Sequence, residues 1–147
     1  MQNGIHVIYD DQTGNQINPN MPLPRGATIG YGHLIQPGED FSRGISEETA
    51  TNLLRQDVEK SERAVRNTII ATINQNQFDA LVIFAYNIGT YNFAKSTVVK
   101  YINNPTFHSA TYSTLESAWR AWNKSNGREM AGLRWRRDIE WKLFCDI

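Results

Sequence analysis

The first 40 residues bring together the side chains best suited to chemistry. "YDD" (9–11) ends in two carboxylates, and "ATIGYGHLI" (27–35) carries Thr28, Gly30, Gly32 and His33. Three chemistries use such residues. A glycine-rich turn can cradle a phosphate, but Gly30-Tyr31-Gly32 supplies only two glycines of a dinucleotide fingerprint. Ile35 stands where the third belongs, and Pro37-Gly38 follows where a helix should begin. A metal would draw on His6, His33, Asp10 and Asp11, yet these lack any recognised ligand spacing, so no metal and no other cofactor is expected. The third chemistry is hydrolysis. If the two segments form a hairpin, Asp11 and Thr28 project into one concavity, where a carboxylate and a hydroxyl hold and polarise one water. Bare glycine backbone beside them would let a sugar or peptide approach closely. On pattern alone this reading is balanced by a plainer one, in which Asp11 only stabilises the loop after it.

The elements that would hold these residues change character along the chain. "GIHVIYDD" (4–11) and "ATIGYGHLI" each read as a strand, from their β-branched and aromatic content. Between them, "QTGNQINPNMPLPRG" (12–26) is rich in Asn, Gly and Pro and reads as neither strand nor helix. A connection that long is unusual in a compact domain and is often a functional flap. From Ser46 the apolar spacing becomes helical, with Ser46 as cap, two glutamates in the first turn, and Ala50, Leu53, Leu54, Val58 and Val65 on one side. A second helix is expected from the cap-like Asn74, with Gln77 three residues on, to Gly89; it is apolar all round from Ala80 to Tyr86, as a central buried helix would be. Further helices are expected at Ser96–Asn103, at Ser113–Trp122 with Ser113 and Glu116 as a capping box, and at Leu133–Phe144. "NNPTF" and "NKSNGREMAG" read as the loops between them.

A chain of 147 residues with 40% hydrophobic and 20% charged residues suits one globular domain. Its net charge of zero conceals a gradient: residues 1–73 hold 6 basic and 9 acidic side chains, and residues 74–147 hold 9 and 6. That excess is too small to point to nucleic acid. No apolar run approaches the roughly 18 residues of a membrane span. The N-terminus lacks a secretory pattern, so synthesis in the cytoplasm is expected, with any action outside it needing release or delivery. Cys145, alone, reads as a small apolar residue of the last helix.

Three blocks taken together resemble the bacteriophage-type lysozymes (glycoside hydrolase family 24). Tyr9-x-Asp11 followed by Thr28-Ile29-Gly30-Tyr31-Gly32-His33 is similar to that family's active-site hairpin. "NQNQFDALVIFAYNIG" with "FAKSTVV" resembles its central helix and the helix after it. "GLRWRRDIEWKLF" resembles its closing helix, at Gly132, Leu133, Arg136, Arg137, Glu140 and Leu143. The resemblance implies an α+β, predominantly helical fold. It would be one lysozyme-like domain over residues 1–147, with a β lobe and loops over 1–45, helices over 46–147, and substrate bound between the lobes. It implies hydrolysis of the β-1,4 bond between N-acetylmuramic acid and N-acetylglucosamine, with bacterial peptidoglycan as partner and the cell wall of the periplasm as place of action. Asp11 and Thr28 would hold the attacking water, His33 would be structural with an acidic partner, and Leu34, Tyr86 and Asn87 would line the sugar site.

The same resemblance exposes a gap. The family's general-acid glutamate lies seven residues before the tyrosine of Tyr-x-Asp, and Gln2 stands there. A shift of one residue brings Asn3-Gly4 to the family's Glu-Gly. Neither amide donates a proton as an acid does. The leading expectation is that this chain is a fragment whose helix and glutamate lie upstream. The others are a replaced acid, leaving an inactive glycan-binding or structural module, and a site rebuilt around another acid, for which Glu39 is the candidate.

Overall fold

The computed structural model describes residues 4–11, 13–18, 20, 22–23 and 26–146, so Gln2 and Asn3 lie outside the described residues. The chain forms two compact units, residues 1–57 and 58–147.

The first unit is built on very short strands. β1 (Ile5–His6) pairs antiparallel with β5 (Ile45–Ser46), while β2 (Tyr9–Asp10), β3 (Ala27–Ile29) and β4 (His33–Leu34) make a three-stranded antiparallel sheet. Residues 4–11 are therefore not the single strand expected, because Val7 and Ile8 separate two strands with different partners. Ile8 instead enters a small core with Ala27, Ile29, Ile45 and Ala50. Residues 27–35 are likewise not one strand but a hairpin, turned by Gly30 and Gly32, both at positive φ. The segment after Asp11 also departs from expectation. Tyr9 bridges Gln16 as well as pairing with Thr28, and Ile17 donates to the Ile8 carbonyl, so part of the 12–26 connection is extended and paired. The signal was hidden because only Gln16-Ile17 is strand-like within an Asn/Gly/Pro-rich run.

The helices follow their local signals more closely. α1 (Glu47–Thr68) carries Glu47 and Glu48 in its first turn, beside the positive end of the helix dipole. α2 (Gln75–Ile88) has the capping box of Asn74 and Gln77 and stops at Gly89. It buries Ala80, Leu81, Val82, Phe84 and Ala85 in the core of the second unit, with Phe93, Val98, Val99 and Trp119. α4 (Thr97–Asn103) is capped by Ser96. Between α2 and α4 lies an unexpected short helix, α3 (Thr90–Ala94). α5 (Leu115–Arg120) starts one residue later than expected: Thr114 is its cap, reciprocated by Ser117 and not Glu116. The presumed loop before the last helix contains a hairpin, β6 (Lys124–Ser125) with β7 (Arg128–Glu129), turned at Asn126-Gly127. α6 (Ala131–Cys145) completes the chain, giving six helices among the described residues where five were expected. No helix among them is long and apolar enough to cross a membrane.

Candidate functional site

In the first unit, sheet register brings the candidate residues together. Tyr9 stands opposite Thr28, and Thr28 opposite Leu34, so these three side chains share one face of the sheet. Asp11 follows β2 in a turn and is exposed. Its N–H donates to the Gly26 carbonyl at 3.2 Å, and the Thr28 hydroxyl donates to the same oxygen at 2.8 Å. One carbonyl thus ties the backbone of Asp11 to the hydroxyl of Thr28. Thr28 is only 2% exposed, and since a carbonyl can only accept, its hydroxyl proton is committed to Gly26 and its lone pairs remain for an incoming donor. Leu34 beside it is 52% exposed, an apolar surface next to the hydroxyl.

The glycines do not all serve an approaching ligand. A Cβ on Gly30 would lie 3.2 Å from the Ala50 Cβ and 3.5 Å from the Ile45 side chain. Its bareness, at φ +68°, lets the hairpin turn sit against the start of α1. The expectation of an open backbone for substrate is corrected at this position.

His33 is clamped between two carboxylates. Its Nδ1 lies 2.8 Å from Asp57 on α1 and its Nε2 lies 2.9 Å from Glu39, with Phe41 edge-on. Burial works against protonation of the ring, but Glu39 and Asp57 outweigh it and raise its pKa above the ordinary value. Burial likewise favours the neutral form of Glu39, yet the Gln36 N–H and the His33 ring prevail and hold that carboxyl below its ordinary value. Glu39 is therefore an ionised acceptor, the opposite of what a general acid requires, and the rebuilt-site expectation finds no support in it.

The second unit holds Tyr86 and Asn87, both half-buried in the last turn of α2. Behind Asn87 is a charged network that spacing alone had left without a role. Arg137 and Glu140 on α6 are each 1% exposed. Arg137 donates from Nη2 to Glu140 at 2.9 Å and to the Asn87 Oδ1 at 2.6 Å, and from Nη1 to the Trp122 carbonyl at 3.1 Å. Trp119 Nε1 donates to Glu140 at 3.0 Å. Burial pushes the Glu140 carboxyl up and the Arg137 guanidinium down, and their mutual attraction opposes both shifts. Both stay ionised, because neutralising either would strand the other's charge in the core. The signs in the sequence were their match to the family's closing helix and their spacing, an Arg and a Glu three apart among aromatic residues; neither showed that the pair is internal.

The phage lysozyme family model matches residues 11–140, from the turn after β2 into α6. The chain belongs to the phage lysozyme family. Among its relatives in that family, the endolysin of Bacillus phage B103 is 40% identical over 126 residues, covering 84% of this chain and 45% of the relative. The endolysin of Bacillus phage PZA is 37% identical over 147 residues, covering 97% of this chain and 54% of the relative. The chain spans about half the length of these two endolysins. Among solved structures, the muramidase domain of SpmX from Asticaccaulis excentricus is similar, with a TM-score of 0.66 and 34% identity over 86% of this chain and 85% of that one. The lysozyme-like α+β fold expected from the sequence is thereby established.

Proposed function

We propose that the chain is a peptidoglycan hydrolase that cleaves the β-1,4 bond between N-acetylmuramic acid and N-acetylglucosamine, with Asp11 orienting the attacking water and Thr28 supporting it. The observation that carries this reading is the shared Gly26 carbonyl, which holds the backbone of Asp11 beside the hydroxyl of Thr28. With its proton engaged, Thr28 can only accept from a water; the Asp11 carboxylate, when ionised, also only accepts. A water that donates both protons to these groups keeps an oxygen lone pair directed outward, toward an anomeric carbon. The acid that protonates the leaving oxygen would stand on the other face of the sugar, roughly 6.5–9.5 Å from the water-holding carboxylate in an inverting site. Its partner is peptidoglycan, reached in the cell wall after release or delivery.

Gln2, at the family's acid position, favours a second reading, an inactive glycan-binding module with the same fold. Turbidity of purified cell walls separates the two. Clearing by the Gln2→Glu form that is lost when Asp11→Asn is added supports the hydrolase reading with the acid at position 2; if the acid lies upstream, clearing instead requires the chain extended by that segment. Equal clearing by both forms refutes the role of Asp11. Clearing by the unmodified chain removes the inactive-module reading.

A further inference from the structure

We propose that Arg137 is a positioning residue: it locks the Asn87 amide with its N–H groups outward, so that position 87 selects the acetamido carbonyl of an N-acetylated glycan. This rests on the glycan reading above and goes beyond it, because it names the group that is read and the residues that make the reading selective.

A guanidinium carries five N–H donors and no acceptor. The Asn87 atom 2.6 Å from Arg137 Nη2 is therefore the amide oxygen, and a flip would set N–H against N–H at that distance. The other end of the amide, Nδ2, bonds to nothing among the described residues, and Asn87 is half-buried. Arg137 cannot swing away to release it. Its guanidinium is held by Glu140 and the Trp122 carbonyl and lies over the Phe84 ring at 5.2 Å, while Glu140 is itself held by Trp119. Restraint thus runs from Trp119 on α5, through Glu140 and Arg137 on α6, to Asn87 on α2. Pairing α6 with its own carboxylate needs only Glu140; the last link, to Asn87, adds a fixed orientation to an amide that otherwise rotates.

A donor fixed in this way discriminates between sugars. An acetamido carbonyl accepts from Nδ2. The ammonium of a de-N-acetylated sugar has donors only, so the two groups oppose each other and the amide cannot turn to accommodate it.

The test is an NMR titration that needs no catalysis. It uses the tetrasaccharide of N-acetylglucosamine and its fully de-N-acetylated counterpart, added to the unmodified chain, Asn87→Asp and Arg137→Lys. The expected result is preference of the unmodified chain for the N-acetylated oligomer, with a shift of the Asn87 side-chain amide signal on binding. Asn87→Asp keeps an oxygen for Arg137 but has no N–H, and should bind that oligomer roughly two- to tenfold more weakly, as for one lost hydrogen bond. Arg137→Lys retains a cation for Glu140 but cannot reach three acceptors with the same planar fork, and should lose the preference. If Asn87→Asp binds as tightly as the unmodified chain, or a natively folded Arg137→Lys keeps its preference, the positioning role is refuted while the glycan reading stands. If Arg137→Lys does not fold, the Asn87→Asp arm and the amide shift decide. Binding of neither oligomer by the unmodified chain overturns both readings.

Discussion

Replacing Glu140 by glutamine preserves shape and removes one charge from the most enclosed ion pair of the second unit. The Glu140 carboxylate accepts from Trp119 at 3.0 Å and from Arg137 Nη2 at 2.9 Å, and Arg137 Nε lies 2.8 Å away. Glutamine offers one carbonyl oxygen and one NH2, so a donor must face either Trp119 or Arg137. The guanidinium, 1% exposed, then has no counter-charge. Removing one partner of a buried pair costs roughly 3–5 kcal/mol, a large part of the roughly 5–15 kcal/mol that holds a domain folded. For a chain of this length that corresponds to a fall in Tm of about 10–15 °C. Circular dichroism melts, with urea titration to check that the m-value is unchanged, measure it. Removing both charges, as Arg137→Met with Glu140→Leu, should not restore full stability. It strands Trp119 Nε1, the Asn87 oxygen and the Trp122 carbonyl, at about 1–3 kcal/mol for each that stays buried. A Glu140→Gln protein melting within about 3 °C of the unmodified chain would refute the account, since the buried guanidinium would then need no counter-charge.

Other predictions concern the first unit. Gly44→Ala should destabilise more than Gly30→Ala, and both more than Gly38→Ala. All three lie at positive φ, but a Cβ at Gly44 would meet the Ile5 side chain at 2.5 Å and the His6 carbonyl oxygen at 2.7 Å, one at Gly30 meets Ala50 at 3.2 Å, and one at Gly38 meets nothing within 4 Å. The backbone component alone is about 1–2 kcal/mol at each; equal melts for the three would refute the contact argument. The His33 clamp predicts a pH window. The folded pKa of His33 is raised above 6.5, so its contribution is complete below that pH and is lost as pH rises through the folded value. The folded pKa of Glu39 is lowered below 4.5, so its contribution is complete above that pH and is lost as pH falls through the folded value. The difference in Tm between the unmodified chain and His33→Gln should therefore be greatest between pH 4.5 and 6.5, and a difference constant from pH 4 to 9 would contradict the clamp.

Helices with self-contained signals were legible in advance. Asn74 with Gln77, and Ser96 before Thr97, place cap and first turn within four residues of each other. The start of α5 shows the limit of such signals: Ser113 and Thr114 are adjacent cap formers, and only tertiary packing decides which register buries Trp119. Two-residue strands carry almost no periodicity, so β1 and β2 merged in the reading. They separate because one meets Ile45 in β5 and the other Ala27 in β3, two different strands of the unit. Asp11 and Thr28 were recognisable by type, order and family resemblance, but the carbonyl that links them appears only with the register. Arg137 and Glu140 stood out only as matches to a closing helix, and nothing in their spacing marks them as buried. Trp119, Trp122 and Asn87, 15 to 50 residues away from Arg137 or Glu140, are what make the pair internal.

The pinned ends of the segment after β2 have a consequence for how the protein can change. Asp10 N–H donates to Asn15, Ile17 N–H to Ile8, and Asp11 N–H to Gly26, so this excursion is closed at its base on both sides. Asn18, Asn20, Pro22 and Leu23 beyond those ties are exposed. Doubling the length of a flexible loop costs only about 0.6 kcal/mol. New sequence inserted there would leave Asp11 and Thr28 where they are. The stretch is thus a grafting port: a wall-binding peptide, an epitope or a protease-cleavable strap can be added beside the hairpin by lengthening it, without redesigning Asp11 or Thr28.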